Sequence, residues 1–369
     1  MRRLGYVFVL FIVTTCSIDE TKTLVLKSGK VYDQILIDRS KSGFLITSSG
    51  PGKAIVGSVL ITDARDVVLK NIHVRGNGRH NNSISGIHIE RSNHITIDSI
   101  EVEGFQKSGV SVDNSNDVAI SNVHAFDNGF AGISALGVER LSIRSSLAEN
   151  NPGDPTNKIN HSGNGIIVGY GKKVLIEHCR ATNNGWDMPR VGNGPVGIWA
   201  WESDSVLIQY CTSYRNRTSK GGDDGGGFDL DGGVTNSVIQ YCLSYENEGS
   251  AVGLFQYSGA KQWKNNIVRN NISWNDGKVS PAHAGIYVWN ASGEAGQLTG
   301  CEVTGNIIYN DTGAAISFAK DSNHENFLFS GNLFLTSRIY SGIIGGDTFE
   351  NNTWRLVKAE FMPNFAGFR

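Results

Sequence analysis

Charge is scarce in this 369-residue chain: Asp, Glu, Lys and Arg make up 18% of it, and the formal net charge is -2. A near-neutral chain has no electrostatic reason to hold nucleic acid, so no such partner is expected. Proline is rare too, at 7 residues against 45 glycines, which fits many tight turns between strands and not a disordered Pro-rich chain. No apolar stretch reaches the roughly 18 residues a membrane helix needs, so no transmembrane segment is expected and the mature protein should be soluble. The 5 cysteines lack the spacing of a disulfide framework or a CxxC metal site.

What is present begins with a leader. Arg2 and Arg3 precede an apolar run at 4–13, which ends in Thr14, Thr15, Cys16 and Ser17. This is the pattern of a secretory signal over residues 1–17, and it implies a secreted, periplasmic or cell-surface protein. Cys16 either leaves with the signal or takes a lipid anchor; Val13 suits a lipoprotein signal and Thr15 suits it poorly. Residues 21–369 are then read as one domain with terminal caps, expected to act as a monomer.

A short repeat fills that domain. Glycine followed by apolar alternation recurs at Gly86, Gly109, Gly132, Gly165, Gly197 and Gly227, and a second strand anchored by Ile97, Ile120, Ile143, Ile176, Ile208 and Ile239 follows each. The offset from Gly to Ile is 11 residues in the first five copies and 12 in the sixth. Strands this short cannot bury a face alone, so they must stack, about 4.8 Å apart, with equivalent residues in columns. Asn128, Asn150, Asn184, Asn216, Asn247, Asn275 and Asn310 each close a third strand, which predicts an Asn ladder in one turn. Cys179, Cys211 and Cys242 follow Ile176, Ile208 and Ile239 at a constant three positions, so they are read as a buried column. A leucine-rich solenoid would need a leucine consensus and helix-length segments, and neither is present. The pattern resembles the right-handed parallel β-helix superfamily of pectate lyases, polygalacturonases and related carbohydrate-active proteins, over roughly residues 60 to 350. The fold class is therefore all-β, a right-handed parallel β-helix of roughly nine to eleven coils.

Three coils are longer than the rest. About ten residues are added at 151–163, at 185–195 and at 217–226, and a comparable stretch lies at 277–284. All fall between the Asn column and the next Gly strand, so they should stack along one edge as the wall of a groove. If Ile198, Ala200, Phe228 and Leu230 point inward, then Trp199, Trp201, Asp229 and Asp231 point outward, as do Tyr287 and Trp289 farther along. Either Phe255 or Tyr257 joins them. Exposed aromatics beside acids suit a polysaccharide or oligosaccharide, the rings on the C–H face of the sugar and the acids on its hydroxyls. Arg190, on the second insertion, is a further candidate for holding it.

The densest chemistry lies at 220–233, where Lys220, Asp223, Asp224, Asp229 and Asp231 stand among glycines. So many carboxylates cannot all be ionised and unpartnered at neutral pH. A Gly/Asp turn with solvated side chains is the plain alternative for Asp223 and Asp224, but it fits Asp229 and Asp231 less well because aspartate is disfavoured in strands. One chemistry is a Ca²⁺ ion on Asp223, Asp224, Asp229 and Asp231, with β-elimination from a uronate by Lys220, Arg217, Arg190 or Lys261 as base. The other is hydrolysis, with one of Asp224, Asp229 and Asp231 protonating the glycosidic oxygen and another activating water. Asp223-Asp224 followed by Gly-Phe-Asp resembles the calcium loop of one pectate lyase family, with two extra glycines, and that resemblance implies calcium and a lysine base. Gly222-Asp223-Asp224 resembles the paired aspartates of polygalacturonases, whose Gly-His-Gly and Arg-Ile-Lys motifs are absent here. His161 and His283 are lone loop histidines, each a hydrogen-bonding residue or a proton carrier. The expected activity is a secreted polysaccharide-degrading enzyme, first a lyase acting by β-elimination on an acidic, uronate-containing glycan and alternatively a glycoside hydrolase using paired aspartates; a non-catalytic carbohydrate-binding adhesin is the competing class.

Overall fold

Strict alternation sends every second side chain of each strand to one side, and stacking turns those side chains into continuous columns. The computed structural model describes residues 22–279, 284–320, 323–341 and 346–357. The leader, Cys16 and His283 lie outside them. The central coils each contribute one short strand to each of three parallel faces, the first, second and third sheets. The long strands Ala54–Thr62 and Ile307–Phe318 join the first and third into one 21-stranded sheet. The first carries Asn164–Gly169, Val196–Trp201, Gly226–Leu230, Val252–Gln256 and Ile286–Asn290 among others, paired in register. The second is a 13-stranded parallel sheet that includes Lys172–Glu177 and Asp204–Gln209. The third includes Arg180–Thr182 and Thr212–Tyr214.

One inner column runs Val110, Ile133, Ile166, Ile198, Phe228, Val252 and Ile286, each stacked on the next and buried. Burying such a side chain fully contributes roughly 1.5–3 kcal/mol, so the repetition of one column is a large share of the driving force. Ile97, Ile120, Ile143, Ile176, Ile208 and Ile239 form the corresponding column of the second sheet. Cys179, Cys211 and Cys242 are buried and free, as the repeat predicts, and each thiol donates to the carbonyl two residues earlier.

The Asn ladder needs a correction at two positions. Buried side-chain amides run Asn128, Asn151, Asn184, Asn216 and Asn247, each Nδ2 donating to the next side-chain oxygen, and the last donates to Asp276. Asn150 and Asn275 instead occupy the preceding corner, in left-handed backbone with φ of 50°, aligned with Asp127, Asn183, Arg215 and Glu246. Both columns favour asparagine, one for its amide and one for its tolerance of positive φ. The pairs 150–151 and 275–276 therefore look alike in sequence. Asn310 reaches the end of the ladder by donating to the backbone oxygen of Asp276.

The insertions at 151–163, 185–195 and 217–226 all leave the third sheet and enter the first, so they rise on one edge. They are tied to one another. Asp223 N–H donates to Gly192 O at 2.8 Å, Gly225 N–H to Pro195 O at 2.9 Å, and Arg79 anchors Gly153 O and the Asp187 carboxylate.

Candidate active site

The wall and the outer face of the first sheet enclose a cavity of about 540 Å³. Asp223, Asp224, Asp229, Asp231, His161, Trp199, Trp201, Tyr257, Tyr287 and Trp289 all line it. Five coils thus deliver to one place side chains that are far apart in sequence. A second cavity of about 550 Å³ lies over the earlier coils and shares Trp201 with the first, so the trench continues toward the N-terminal end.

Asp229 stands between Trp199 and Gly253 in the ladder and is 3% exposed. Its Oδ1 has no hydrogen-bond partner. Burial, reinforced by the charges of Asp231 and Asp224, holds its carboxyl well above the usual carboxylate range. Asp224 reaches about 7, chiefly through burial, although its Oδ2 accepts a 2.8 Å hydrogen bond from Gly194 N–H. Asp231 is pushed to about 6, again by burial, with the Glu202 charge adding to it. Asp223 is the exposed member of the group.

Two polar residues that sequence reasoning did not single out organise the ends of this cluster. Glu202, in left-handed backbone with φ of 47°, accepts 3.1 Å hydrogen bonds from the Tyr257 hydroxyl and from Lys261 N–H. Lys261 Nζ lies 3.4 Å from Glu202 Oε2 as an ion pair without hydrogen-bond geometry, and 5.2 Å over the Tyr170 ring. At the other end Asn164, wholly buried, accepts from Trp199 Nε1 at 3.0 Å and from Val196 N–H at 3.3 Å.

Several expectations change. Trp199 faces out of the coil but is only 5% exposed, packed with Ile167, Val196 and Phe130 and set edge-on to His161. The insertions cover it, so it serves as a wall element and not as an open stacking platform. Trp201, Tyr257 and Tyr287 are half-buried, and Trp289 is the exposed aromatic of the lane. Phe255 and Tyr257 both join the cavity, Phe255 buried in register with Trp289. Lys220 is exposed on its loop and does not line the cavity, and Arg217 is exposed as well. Arg190 also lies outside the lining; its guanidinium donates to Asn193 O at 2.6 Å, yet its charge lowers both Asp224 and His161. Among the described residues no three His, Cys, Asp or Glu side chains converge as a metal-holding set.

A parallel three-sheet solenoid with an acidic, aromatic trench on one flank defines the class. The chain belongs to the family described as right handed beta helix region, which it matches over residues 56–155 and 154–297. No curated protein matches it by sequence. Among solved structures it is similar to the catalytic domain of a GH87 α-1,3-glucanase in complex with nigerose, with TM-score 0.63 and 14% identity, covering 90% of this chain and 65% of that one. The A-module of the mannuronan C-5 epimerase AlgE6 from Azotobacter vinelandii gives TM-score 0.56 and 13% identity, with 90% and 91% covered. A GH136 lacto-N-biosidase from Eubacterium ramulus gives 0.53 and 14%, with 87% of this chain and 62% of that one covered. The chain thus spans under two thirds of the glucanase and the biosidase. At these identities the likeness is one of fold.

Proposed function

We propose that this chain is an enzyme that cleaves a polysaccharide by hydrolysis, with Asp229 as general acid and Asp231 as the carboxylate that activates water. One observation carries the reading: neighbouring carboxyls in one aromatic-walled cavity are pushed to different values, Asp229 well above the carboxylate range and Asp231 to about 6. The more strongly raised carboxyl keeps its proton to higher pH than its neighbour, which is the division of labour that acid–base glycoside cleavage requires. The two sit two positions apart along one chain direction, with Cα atoms about 6.6 Å apart by strand rise. Asp224, at about 7, reinforces the proton supply. The polysaccharide-acting neighbours support the substrate class by analogy of fold.

A second reading, β-elimination from a uronate-containing glycan, is favoured by one feature. Lys261, outside the cavity lining, pairs with Glu202, which accepts from the Tyr257 hydroxyl of that lining, so a basic side chain stands next to the cavity wall. Calcium belongs to that reading as a proposal, and no step here is routed through it. Export through the leader, a lipid anchor at Cys16 and action as a monomer are likewise proposals. Among the described residues no helix is long and apolar enough to cross a membrane.

The deciding experiment incubates the protein with polygalacturonate, mannuronan and α-1,3-glucan. It follows new reducing ends and the ultraviolet absorbance of unsaturated uronates. Reducing ends without that absorbance, lost in Asp229→Asn, support hydrolysis. Absorbance supports elimination, and retention of a glycan without any cleavage supports a binding protein.

A further inference from the structure

His161 stands in the first insertion, 8% exposed, with its ring edge-on to Trp199 at 5.1 Å and beside Phe130 at 6.0 Å. Its Nδ1 lies 3.1 Å from Asn164 Nδ2. An amide can be turned end for end, so the orientation of Asn164 has to be argued. Its oxygen faces the Trp199 indole N–H and the Val196 backbone N–H, two groups that only donate. Its nitrogen faces Phe130 O at 3.1 Å, a group that only accepts. Turning the amide would break all three contacts, so the nitrogen must point at His161. An amide nitrogen donates, and Nδ1 must therefore accept, carrying no proton. The ring proton is therefore on Nε2, and His161 is one of the residues that line the cavity.

We propose that Asn164 is a positioning residue that holds His161 as the neutral tautomer protonated on Nε2, making it a fixed hydrogen-bond donor to a sugar oxygen and not a proton carrier. The donor half rests on the reading that a glycan occupies this cavity; the tautomer half does not. Burial holds His161 down to about 4, and the Arg190 charge from the second insertion acts in the same direction. The titratable groups that share its cavity are Asp223, Asp224, Asp229, Asp231, Tyr257 and Tyr287. A fixed neutral donor suits a site whose acids supply the proton themselves, because it adds no competing titration near neutrality.

Two-bond ¹H–¹⁵N correlation spectra of the ¹⁵N-labelled full chain test the tautomer, with His161→Gln assigning the signals. The expected result is a bare Nδ1 and a protonated Nε2 from about pH 8 down to about pH 5, below the ordinary histidine range of roughly 6.5. A proton on Nδ1, or an imidazolium forming near the ordinary value, overturns the proposal. In Asn164→Asp the new carboxylate oxygen faces Nδ1, so His161 should titrate higher; an unchanged titration, with the Trp199 indole N–H signal intact, also overturns it. Turnover of the glycan from the panel above separates donor from carrier. Glutamine can donate but cannot carry a proton, so His161→Gln should stay within about tenfold of the parent while His161→Phe loses about 100-fold. Equal losses overturn the donor role. If no glycan binds at all, the functional reading and the donor role fail together, while the spectra still decide the tautomer.

Discussion

Gly253 stands directly across the ladder from Asp229, and a methyl group on it would lie 3.0 Å from Asp229 Oδ1 and 2.6 Å from the Phe255 ring. The missing side chain is what lets Phe255 fold against the floor beside the acid. Gly253→Ala should therefore displace Asp229 or Phe255. A shift of about 1 Å at a reacting group costs on the order of 100-fold in turnover, and overpacking costs roughly 1–3 kcal/mol of stability. Steady-state kinetics beside thermal unfolding check both; an unperturbed rate would show that the Asp229 position is not critical.

Asp229→Asn should reduce turnover by about 10²–10⁴-fold, the usual worth of a general acid. Its effect on folding runs the other way. A carboxyl raised in the folded state contributes stability that is fully present below its unfolded value and lost as pH rises through the folded one. Removing it should leave acid stability unchanged and raise alkaline stability. Unfolding midpoints compared at acid and alkaline pH read this directly.

The hydrolytic assignment also fixes the shape of the pH–rate profile. The acid limb should lie near 6, where Asp231 gains a proton, and an alkaline limb should follow at higher pH, where the proton-donating carboxyls empty. The groups interact, so the limbs report the cluster and not single residues. Asp231→Asn should remove the acid limb from whatever activity survives. A profile without an acid limb in the parent protein argues against Asp231 as the base.

Asp276 ends a ladder that is otherwise amide, and burial raises its carboxyl from 3.8 to about 6. By the same linkage, its stabilising contribution is present below about 4 and is lost as pH rises through 6. Asn216 and Asn247 each donate Nδ2 to the serine three residues earlier, Ser213 and Ser244. Asp276 accepts from Ser273 in the equivalent place, so asparagine would fit with the bond reversed. Asp276→Asn should leave stability near pH 4 unchanged and add roughly 3 kcal/mol at pH 8, from about 1.4 kcal/mol per unit. Denaturant unfolding at the two pH values checks it; equal midpoints for parent and variant at pH 8 would count against a penalised carboxylate.

The stacking was legible in the sequence because one physical demand, burial on a repeating inner face, is written once per coil. The Gly and Ile series marked the strands, and their constant offset placed every insertion on one edge. The ladder slipped by one at Asn150 and Asn275 because two adjacent corner positions select the same residue for different reasons. Trp199 was misjudged as open because alternation tells which way a side chain leaves the strand, not whether a loop folds over it. Lys220 was close to the acids in sequence and Arg190 lay on the neighbouring insertion, but loop geometry decides where long side chains end. Asn164 left a faint signal: it occupies a register position held by Ser108 and Ala131 in earlier coils, where a full amide is out of pattern. Glu202 left none, because its left-handed corner is held by Asp63, Arg91, Asn114, Gly137 and Tyr170 in preceding coils, where a carboxylate is already in pattern.

The buried thiols turn this molecule into its own clock. Cys179, Cys211 and Cys242 mark consecutive coils in the middle of the stack, and Cys301 marks a later one. Each is sealed while its coil is closed, and solenoids open through nearest-neighbour units instead of all at once. The order in which an alkylating reagent captures the four sulfurs during a denaturant pulse would therefore record which end peels first, with no probe added to the chain.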